Sequence, residues 1–447
     1  MNTSWAEARK IAGAAAIPLP AARVPMAQAR GAVLAESLSA LVDLPPFATS
    51  AMDGWAVAGP GPWRVAGRVL AGQEATRLGD GEAVEIATGA RVPSGASSVL
   101  RRERGFVDGH GRLHVGESGE ASEGGEASEG GEASEGGEAG DGHRSHASAA
   151  ATVPQRSYAA VSNGTTATRT PRGTELGLPI GADIRPQGQE SRRGETLLSA
   201  GTRVTPAVLG LAAAAGYDDL PVHERPRVAL VVIGDELAGS GLPDGARIRD
   251  ALGPMFTAWL DALGVEATVS RVADDAGELL AVVASSPADV VITTGGTARG
   301  PMDHVHQVLG ELGARMLVDG VSVRPGHPML LAQYGGTRQH RRFVAGLPGN
   351  PLAAVVGFVT VVRPLLRRLS GLPDPSHFLP LGDAVSTHPT DTRLVPVSVT
   401  DACAIPLRFT GPAMLRGLAL ADGLAVVPPG GGVVALGAGQ RVEVLTV

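Results

Sequence analysis

Three turns concentrate carboxylates beside glycine or alanine. Gly234-Asp235-Glu236-Leu237 follows the apolar run 228–233, Ala273-Asp274-Asp275 follows 266–272, and Gly295-Gly296-Thr297-Ala298-Arg299-Gly300-Pro301-Met302-Asp303 follows 289–294. Carboxylates brought to one place suit a hard divalent cation such as Mg²⁺, held beside a phosphorylated or oxyanionic ligand. The glycine-rich turn also offers backbone N–H groups, and the helix expected after it offers an N-terminus, which together attract an anion. Asp275 or Asp303 taken alone is equally well explained as a helix N-cap. Three turns of the same chemistry are harder to explain by capping alone.

The elements that must position these turns follow from the spacing. The apolar runs have strand length, and the stretches 252–263, 276–284 and 304–312 between and after them have helical character. Strand and helix alternating in this way predict a doubly wound parallel sheet. Ligands of such sheets bind outside the carboxyl ends of the strands, where all three turns would lie.

Two further loops stand out. Leu347-Pro348-Gly349-Asn350-Pro351 precedes a helical stretch at 352–369 and is adequately read as structural, with Asn350 as N-cap and Pro351 at the first helical position. The stretch 44–56 sets Thr49-Ser50 and Asp53-Gly54 in an apolar context, which suits a tight hairpin or a ligand loop.

The rest of the chain is organised around this centre. Ser4 and Glu7 stand at capping-box spacing before an alanine-rich helix, and a second helical stretch is expected over 26–38. Short valine-rich runs between 57 and 107 predict a small β domain, and those after Pro373 predict a C-terminal β-barrel or sandwich. Between them Gly-Glu-Ala-Ser-Glu-Gly is repeated three times over 119–136, within a stretch poor in apolar residues. Such a segment cannot bury enough apolar area to offset its conformational entropy, so 117–175 is expected to be a disordered insertion. Its histidines, and His110 before it, are read as solvated rather than as metal ligands.

Composition limits the chemistry. The chain has 447 residues, enough for several packed units, with 43% hydrophobic and 19% charged residues. The net charge of -7 comes from residues 117–141, which hold eight Glu and one Asp; without them 36 acidic residues face 38 basic ones. No nucleic-acid footprint or polybasic membrane patch is left. Lys10 is the sole lysine, which excludes a phosphate-loop lysine, and Cys403 is the sole cysteine, which excludes a disulfide, a redox pair or a thiolate zinc cluster. The stretch 9–29 imitates a secretion signal, but Pro18, Pro20 and Pro25 interrupt its apolar run, and the longest uncharged apolar stretch, 352–362, is about half a membrane span. A cytoplasmic protein without membrane or nucleic-acid partners is expected.

The motifs together are specific. P-P-F-A-T-S-A-M-D-G-W-A-V (45–57), A-G-Q (71–73), I-A-T-G-A-R-V-P-S-G (86–95), I-G-D-E-L (233–237), T-T-G-G (293–296), R-P-G-H-P (324–328) and G-L-P-G-N-P (346–351) occur in the order in which similar motifs occur in the MoeA-type molybdopterin molybdenumtransferase family. The sequence resembles that family over nearly its whole length apart from the insertion. The resemblance implies a multidomain α/β plus β fold: a discontinuous helical N-terminal domain (1–43 and 176–223), a β-rich domain (44–116), a doubly wound molybdopterin-binding α/β domain (224–370) and a C-terminal β-barrel (371–447).

It also implies Mg²⁺-dependent insertion of molybdate into adenylylated molybdopterin with release of AMP, in a homodimer whose site lies between subunits. A molybdopterin adenylyltransferase and apo-molybdoenzymes are the implied partners. Carried over by motif, Glu236, Asp274 and Asp303 are the acidic and metal-binding residues of the α/β domain, and Asp53 and Thr88 face them from the partner's β domain. Gly295, Gly296, Thr297, Arg324, Pro348, Gly349 and Pro351 are the implied substrate-binding residues. Hard carboxylates for Mg²⁺ and soft dithiolene sulfurs for molybdenum make physical sense of a site without a protein thiol.

Several positions depart from the family pattern. Ile233 stands where a small hydroxyl residue is usual, Thr297-Ala298 replace Val-Ser, and His304 follows Asp303 in place of Tyr. Arg324 and His327 stand where two lysines are usual, and Asp250 is followed by Ala-Leu instead of an Asn-bearing loop. The acidic set is kept while the anion-binding set changes, which leaves two alternatives to transferase activity: a non-catalytic paralogue acting as a pterin-binding scaffold or partner-binding protein, and a nucleotide-processing enzyme sharing only the α/β domain.

Overall fold

The computed structural model describes residues 3–74, 76–116, 178–297, 304–337, 341–432 and 434–446. The insertion 117–175, its repeats, and Asp303 lie outside the described residues. The chain divides into two compact units, 1–42 with 193–447 and 43–192.

The first unit is built on a six-stranded sheet. Its strands are β1 (Arg227–Ile233), β2 (Glu266–Val272), β3 (Val290–Thr294), β4 (Arg315–Asp319), β5 (Leu330–Gly336) and β6 (Arg341–Leu347), in the spatial order β2-β1-β3-β6-β5-β4. The first four are parallel, and β5 and β4 add antiparallel at the edge. Helices α1 (Leu252–Leu263), α2 (Ala276–Ser285) and α3 (His304–Glu311) follow β1, β2 and β3. Alternate residues of each strand enter different cores, as the two-residue period of a strand requires. Val228, Leu230, Val232 and Ile292 pack with Phe256 and Leu260 of α1. Ala229, Val231, Ile233 and Val291 pack with Leu279 of α2 and Val308 of α3.

A helix over 351–369 closes the first of these faces. Pro364 has no N–H to donate, and the helix accommodates it with a wider π-helical turn at Phe358–Val362, where the Arg363 N–H reaches back to the Phe358 carbonyl. The helix Trp5–Ala14 packs in the same core, its Trp5 indole N–H donating to the Thr360 hydroxyl at 3.0 Å. Ser4 caps this helix by accepting the Glu7 N–H, as its spacing indicates.

The expected helix over 26–38 is confined to Met26–Ala29. Gly31 takes a left-handed backbone with φ 81°, and the following residues pair with 198–204 instead, through Gly31 N–H to Val204, Leu34 N–H to Thr202 and the Leu38–Ser39 strand against Thr196–Leu198. Long-range pairing thus overrides local helical propensity. Helix Pro206–Ala214 and the Ala21–Pro25/Asp219–His223 strand pair complete this subdomain.

The C-terminal part is a seven-stranded sheet that also recruits Thr3–Ser4 and Val321–Arg324. In the second unit a six-stranded sheet runs Ser98–Arg101, Gly54–Ala58, Glu82–Ile86, Trp63–Val69, Arg112–Val115, Gly105–Val107. The stretch 178–192, read from sequence with the helical part, folds with this unit: Ala51 N–H donates to Asp183, Gly181 N–H to Ser97 and Leu44 N–H to Ser191. No helix among the described residues is long and apolar enough to cross a membrane.

Candidate functional site

The register of the α/β sheet decides which turns meet. Ile233 pairs with Val272, Val232 with Thr294, and Thr294 with Leu347. The turns carrying Glu236, Asp274, Gly295 and Pro348 therefore leave the same edge of the sheet, at the carboxyl ends of its four parallel strands.

Within this edge the carboxylates have distinct jobs. Asp275 is the N-cap of α2, accepting the Glu278 N–H at 2.8 Å, while the Glu278 carboxylate accepts the Ala273 N–H at 2.9 Å. Capping is thus done by Asp275 and leaves Asp274 for the loop, where its Oδ2 accepts the Asp235 N–H at 3.2 Å. Gly234 has φ 143°, and a Cβ there would lie 2.6 Å from a carboxylate oxygen of Glu236. Only glycine lets the exposed Glu236 carboxylate fold back over its own turn. Asp250 is structural: it is buried, ion-paired to Arg271, and accepts the Gly253 N–H at 2.8 Å near the start of α1.

Gly295 and Gly296 have φ 90° and 63°, a turn that side chains resist, and the Gly295 N–H donates to the Leu347 carbonyl at 2.9 Å. A Cβ on Gly349 would sit 3.7 Å from Gly295 Cα, so the two glycine turns touch. Thr297 is buried, with its methyl group against Gly346. Ile233 is likewise a core side chain, packed on the face that holds α2 and α3.

A cavity of about 340 Å³ opens where the β6 turn meets the C-terminal sheet, lined among others by Arg324, His327, Pro348, Asn350, Arg393 and Thr410. Arg324 Nε donates to Asp391 at 2.8 Å. Burial pushes the Asp391 carboxyl up, but the bonds from Arg324 and Thr390 and the nearby cations outweigh it and hold the pKa below the ordinary value. His327 Nδ1 lies 2.8 Å from the Val321 carbonyl, which can only accept, so Nδ1 carries the proton. Arg393 is bound by Ser386. Asn350 occupies the N-cap position ahead of Pro351, yet makes no side-chain capping bond. Its side chain lines the cavity instead of serving the purely structural role its position suggested. Arg393, Asp391 and Thr410 carry no sequence signal of their own, because only the packing of the C-terminal sheet brings them here.

In the second unit, Asp53 Oδ1 accepts both the N–H of Thr88 at 2.6 Å and its hydroxyl at 3.0 Å. These two bonds, with Arg102 adding its charge, hold the Asp53 carboxyl below its ordinary pKa. Asp53 lines a hollow of about 430 Å³ with Arg68, Glu85 and Arg102, the two arginines being paired with Glu85.

Among the described residues no group of three or more His, Cys, Asp or Glu side chains could hold a metal ion. Glu236 and Asp274 bring two carboxylates to the turns of adjacent strands. Such oxygen donors fit Mg²⁺, which is held by one or two carboxylates and keeps several waters.

Three family models match the chain: the MoeA N-terminal region (domains I and II) over 3–216, a probable molybdopterin binding domain over 229–368, and the MoeA C-terminal region (domain IV) over 379–447. The sequence is 31% identical over 448 residues to molybdopterin molybdenumtransferase 2 of Mycobacterium tuberculosis, an alignment covering 94% of each chain. It is 29% identical over 393 residues to the molybdopterin molybdenumtransferase of Synechococcus elongatus, covering 84% of this chain and 82% of the relative. The fold matches that of a molybdopterin biosynthesis MoeA protein from Pyrococcus horikoshii with a TM-score of 0.70 at 23% identity, covering 100% of this chain and 99% of that one. With motifs, domain succession and full-length similarity in agreement, the chain belongs to the MoeA family of molybdopterin molybdenumtransferases.

Proposed function

We propose that this chain is a molybdopterin molybdenumtransferase of molybdenum cofactor biosynthesis, inserting molybdenum from molybdate into adenylylated molybdopterin with release of AMP. The observation that carries the reading is the sheet register, which sends the Glu236, Asp274, Gly295 and Pro348 turns to one edge. The similarity to enzymes of that name along almost the whole chain supports it.

In this reading the Gly295–Gly296 and Pro348–Gly349 turns, which meet at Gly295 and Gly349, receive the pterin and its phosphates together with the flanking Thr297 and Pro351. Arg324, held by Asp391, works with Arg393 and His327 to attract the molybdate oxyanion into the cavity beside Pro348. Glu236 and Asp274, with Asp303, would hold Mg²⁺. Bound there, Mg²⁺ would supply positive charge to neutralise the substrate's phosphates. Asp274 is tied by the Asp235 N–H, and Gly234 leaves room for the exposed Glu236 carboxylate. Asp53 and Thr88, locked to each other, would complete the site of a second copy in a homodimer. The same reading places the enzyme in the cytoplasm, fed by a molybdopterin adenylyltransferase and serving apo-molybdoenzymes.

The deciding assay supplies purified protein with adenylylated molybdopterin, molybdate and Mg²⁺, and follows AMP release and reconstitution of an apo-molybdoenzyme. Release of AMP that requires both molybdate and Mg²⁺ is expected. Pterin binding without AMP release would overturn the transferase reading in favour of a scaffold.

A further inference from the structure

Among the described residues lining the cavity beside Pro348, His327 is the side chain that can gain or lose a proton near neutral pH. Its ring is fixed from two sides. The His327 carbonyl accepts the Val321 N–H at 3.0 Å, and Nδ1 donates to the Val321 carbonyl at 2.8 Å. With Nδ1 committed to the backbone, Nε2 is the nitrogen left to the ligand. It makes no hydrogen bond and is not a buried atom, so it keeps contact with solvent. In the neutral ring it presents a lone pair, which an oxyanion repels.

The fixed charges around His327 fall short of what a molybdate dianion needs. Arg324 and Arg393 line the cavity, and no acidic side chain does. Asp391 takes the Arg324 Nε at 2.8 Å and compensates one of these two charges, whereas Arg393 is held by the uncharged Ser386. His388 stands 3.7 Å from Asp391, but its Nδ1 already accepts the Asp391 N–H at 2.9 Å, so protonation there would break the turn. The helix that begins at Pro351 offers no free N–H from Leu352 or Ala353, because both donate to the Pro412 carbonyl, at 2.9 and 3.2 Å. One positive charge is thus left to face a ligand that carries two negative ones.

We propose that the oxyanion is captured together with a proton: as molybdate enters the cavity, His327 Nε2 takes a proton from solvent, and the new N–H donates to a molybdate oxygen. The added charge balances the dianion, and the lone pair that opposed it becomes a charge-assisted donor. A dianion beside an imidazole favours the charged ring, so affinity rises as pH falls and is lost as pH rises. The inference rests on the transferase reading for the identity of the oxyanion and adds to it a pH-dependent control of that subsite.

The test is isothermal titration calorimetry of the full chain with sodium molybdate at neutral pH, in two buffers of different ionisation enthalpy and at constant ionic strength. The wild-type protein is expected to take up roughly half a proton or more per bound molybdate, with Kd rising by up to about tenfold per pH unit. His327→Gln should take up no proton and bind roughly tenfold more weakly, the loss of one charge-assisted hydrogen bond. His327→Lys, which carries its charge permanently, should bind without proton uptake and with a Kd independent of pH. Absence of saturable binding, binding by the wild type without proton uptake, or uptake retained in a folded His327→Gln protein would each overturn the proposal, and uptake retained in His327→Lys would do so if the Gln variant does not fold. Proton-coupled binding without AMP release in the transferase assay would uphold the proposal and remove the transferase reading. AMP release without proton uptake would do the reverse.

Discussion

The Asp274 carboxylate is tied to the turn of the neighbouring strand, its Oδ2 accepting the Asp235 N–H at 3.2 Å. The bond staples the β2 turn to the β1 turn at the residue that precedes Glu236. Asp274→Asn keeps an acceptor for that N–H and removes only the charge. The expected result is AMP release reduced roughly a hundredfold or more, as when a group that stabilises developing charge is lost, with an unchanged circular dichroism spectrum. Full activity of this variant would remove Asp274 from the chemistry.

Asp53 owes its lowered pKa first to the Thr88 N–H and then to the Thr88 hydroxyl. Thr88→Val removes only the second. The Asp53 pKa, followed by the carboxyl carbon chemical shift, should move up toward the ordinary carboxylate value and stay below it. The sign follows from the depressed pKa: the interaction with Thr88 is fully present above the unfolded-state pKa and is lost as pH falls through the folded one. A larger upward shift than the backbone bond allows would mean that the whole turn had opened.

Asp391 positions Arg324 by taking its Nε at 2.8 Å. Asp391→Asn should raise the KM for molybdate about tenfold while changing kcat little, because the guanidinium is kept and its orientation is loosened. A fall in kcat at constant KM would place Arg324 away from the incoming oxyanion.

Asp108 has its pKa lowered to about 2, first by the Arg112 N–H and next by the His114 ring, which lies 2.8 Å away. His114→Phe should raise the Asp108 pKa measured by NMR. In the wild-type protein the stabilising contribution is present above the unfolded carboxylate pKa of about 3.9 and disappears as pH falls toward the folded value. An unshifted pKa in the variant would leave the backbone N–H groups as the whole cause.

Trp5 and Thr360 join the first helix to the 351–369 helix through a 3.0 Å bond between buried groups. Thr360→Val leaves the indole N–H without an acceptor and should destabilise the first unit by about 1–3 kcal/mol, read as a lower urea midpoint. Thr360→Ser should restore most of it. Equal loss in both variants would point to packing of the threonine methyl instead.

The sequence by itself determined what is local. Runs of β-branched residues and the glycines between strand and helix announced β1, β2 and β3 and the turns of Glu236, Asp274 and Gly295, because period and turn chemistry depend only on near neighbours. The shared motifs assigned the family and singled out Asp53 and Thr88 separately; that the two join by two hydrogen bonds is a fact of the fold. Tertiary structure alone decided the rest. Residues 31–39 pair with 196–204 and give up a helix their local propensity favoured, since hydrogen bonds to a distant strand outweigh it. Residues 178–192 join the second unit across the insertion, and Thr3–Ser4 and Val321–Arg324 join the C-terminal sheet. Asn350 leaves its capping bond unmade and faces the same cavity as Arg324 and Arg393. Each depends on residues tens to hundreds of positions apart, and no local window of sequence contains that information.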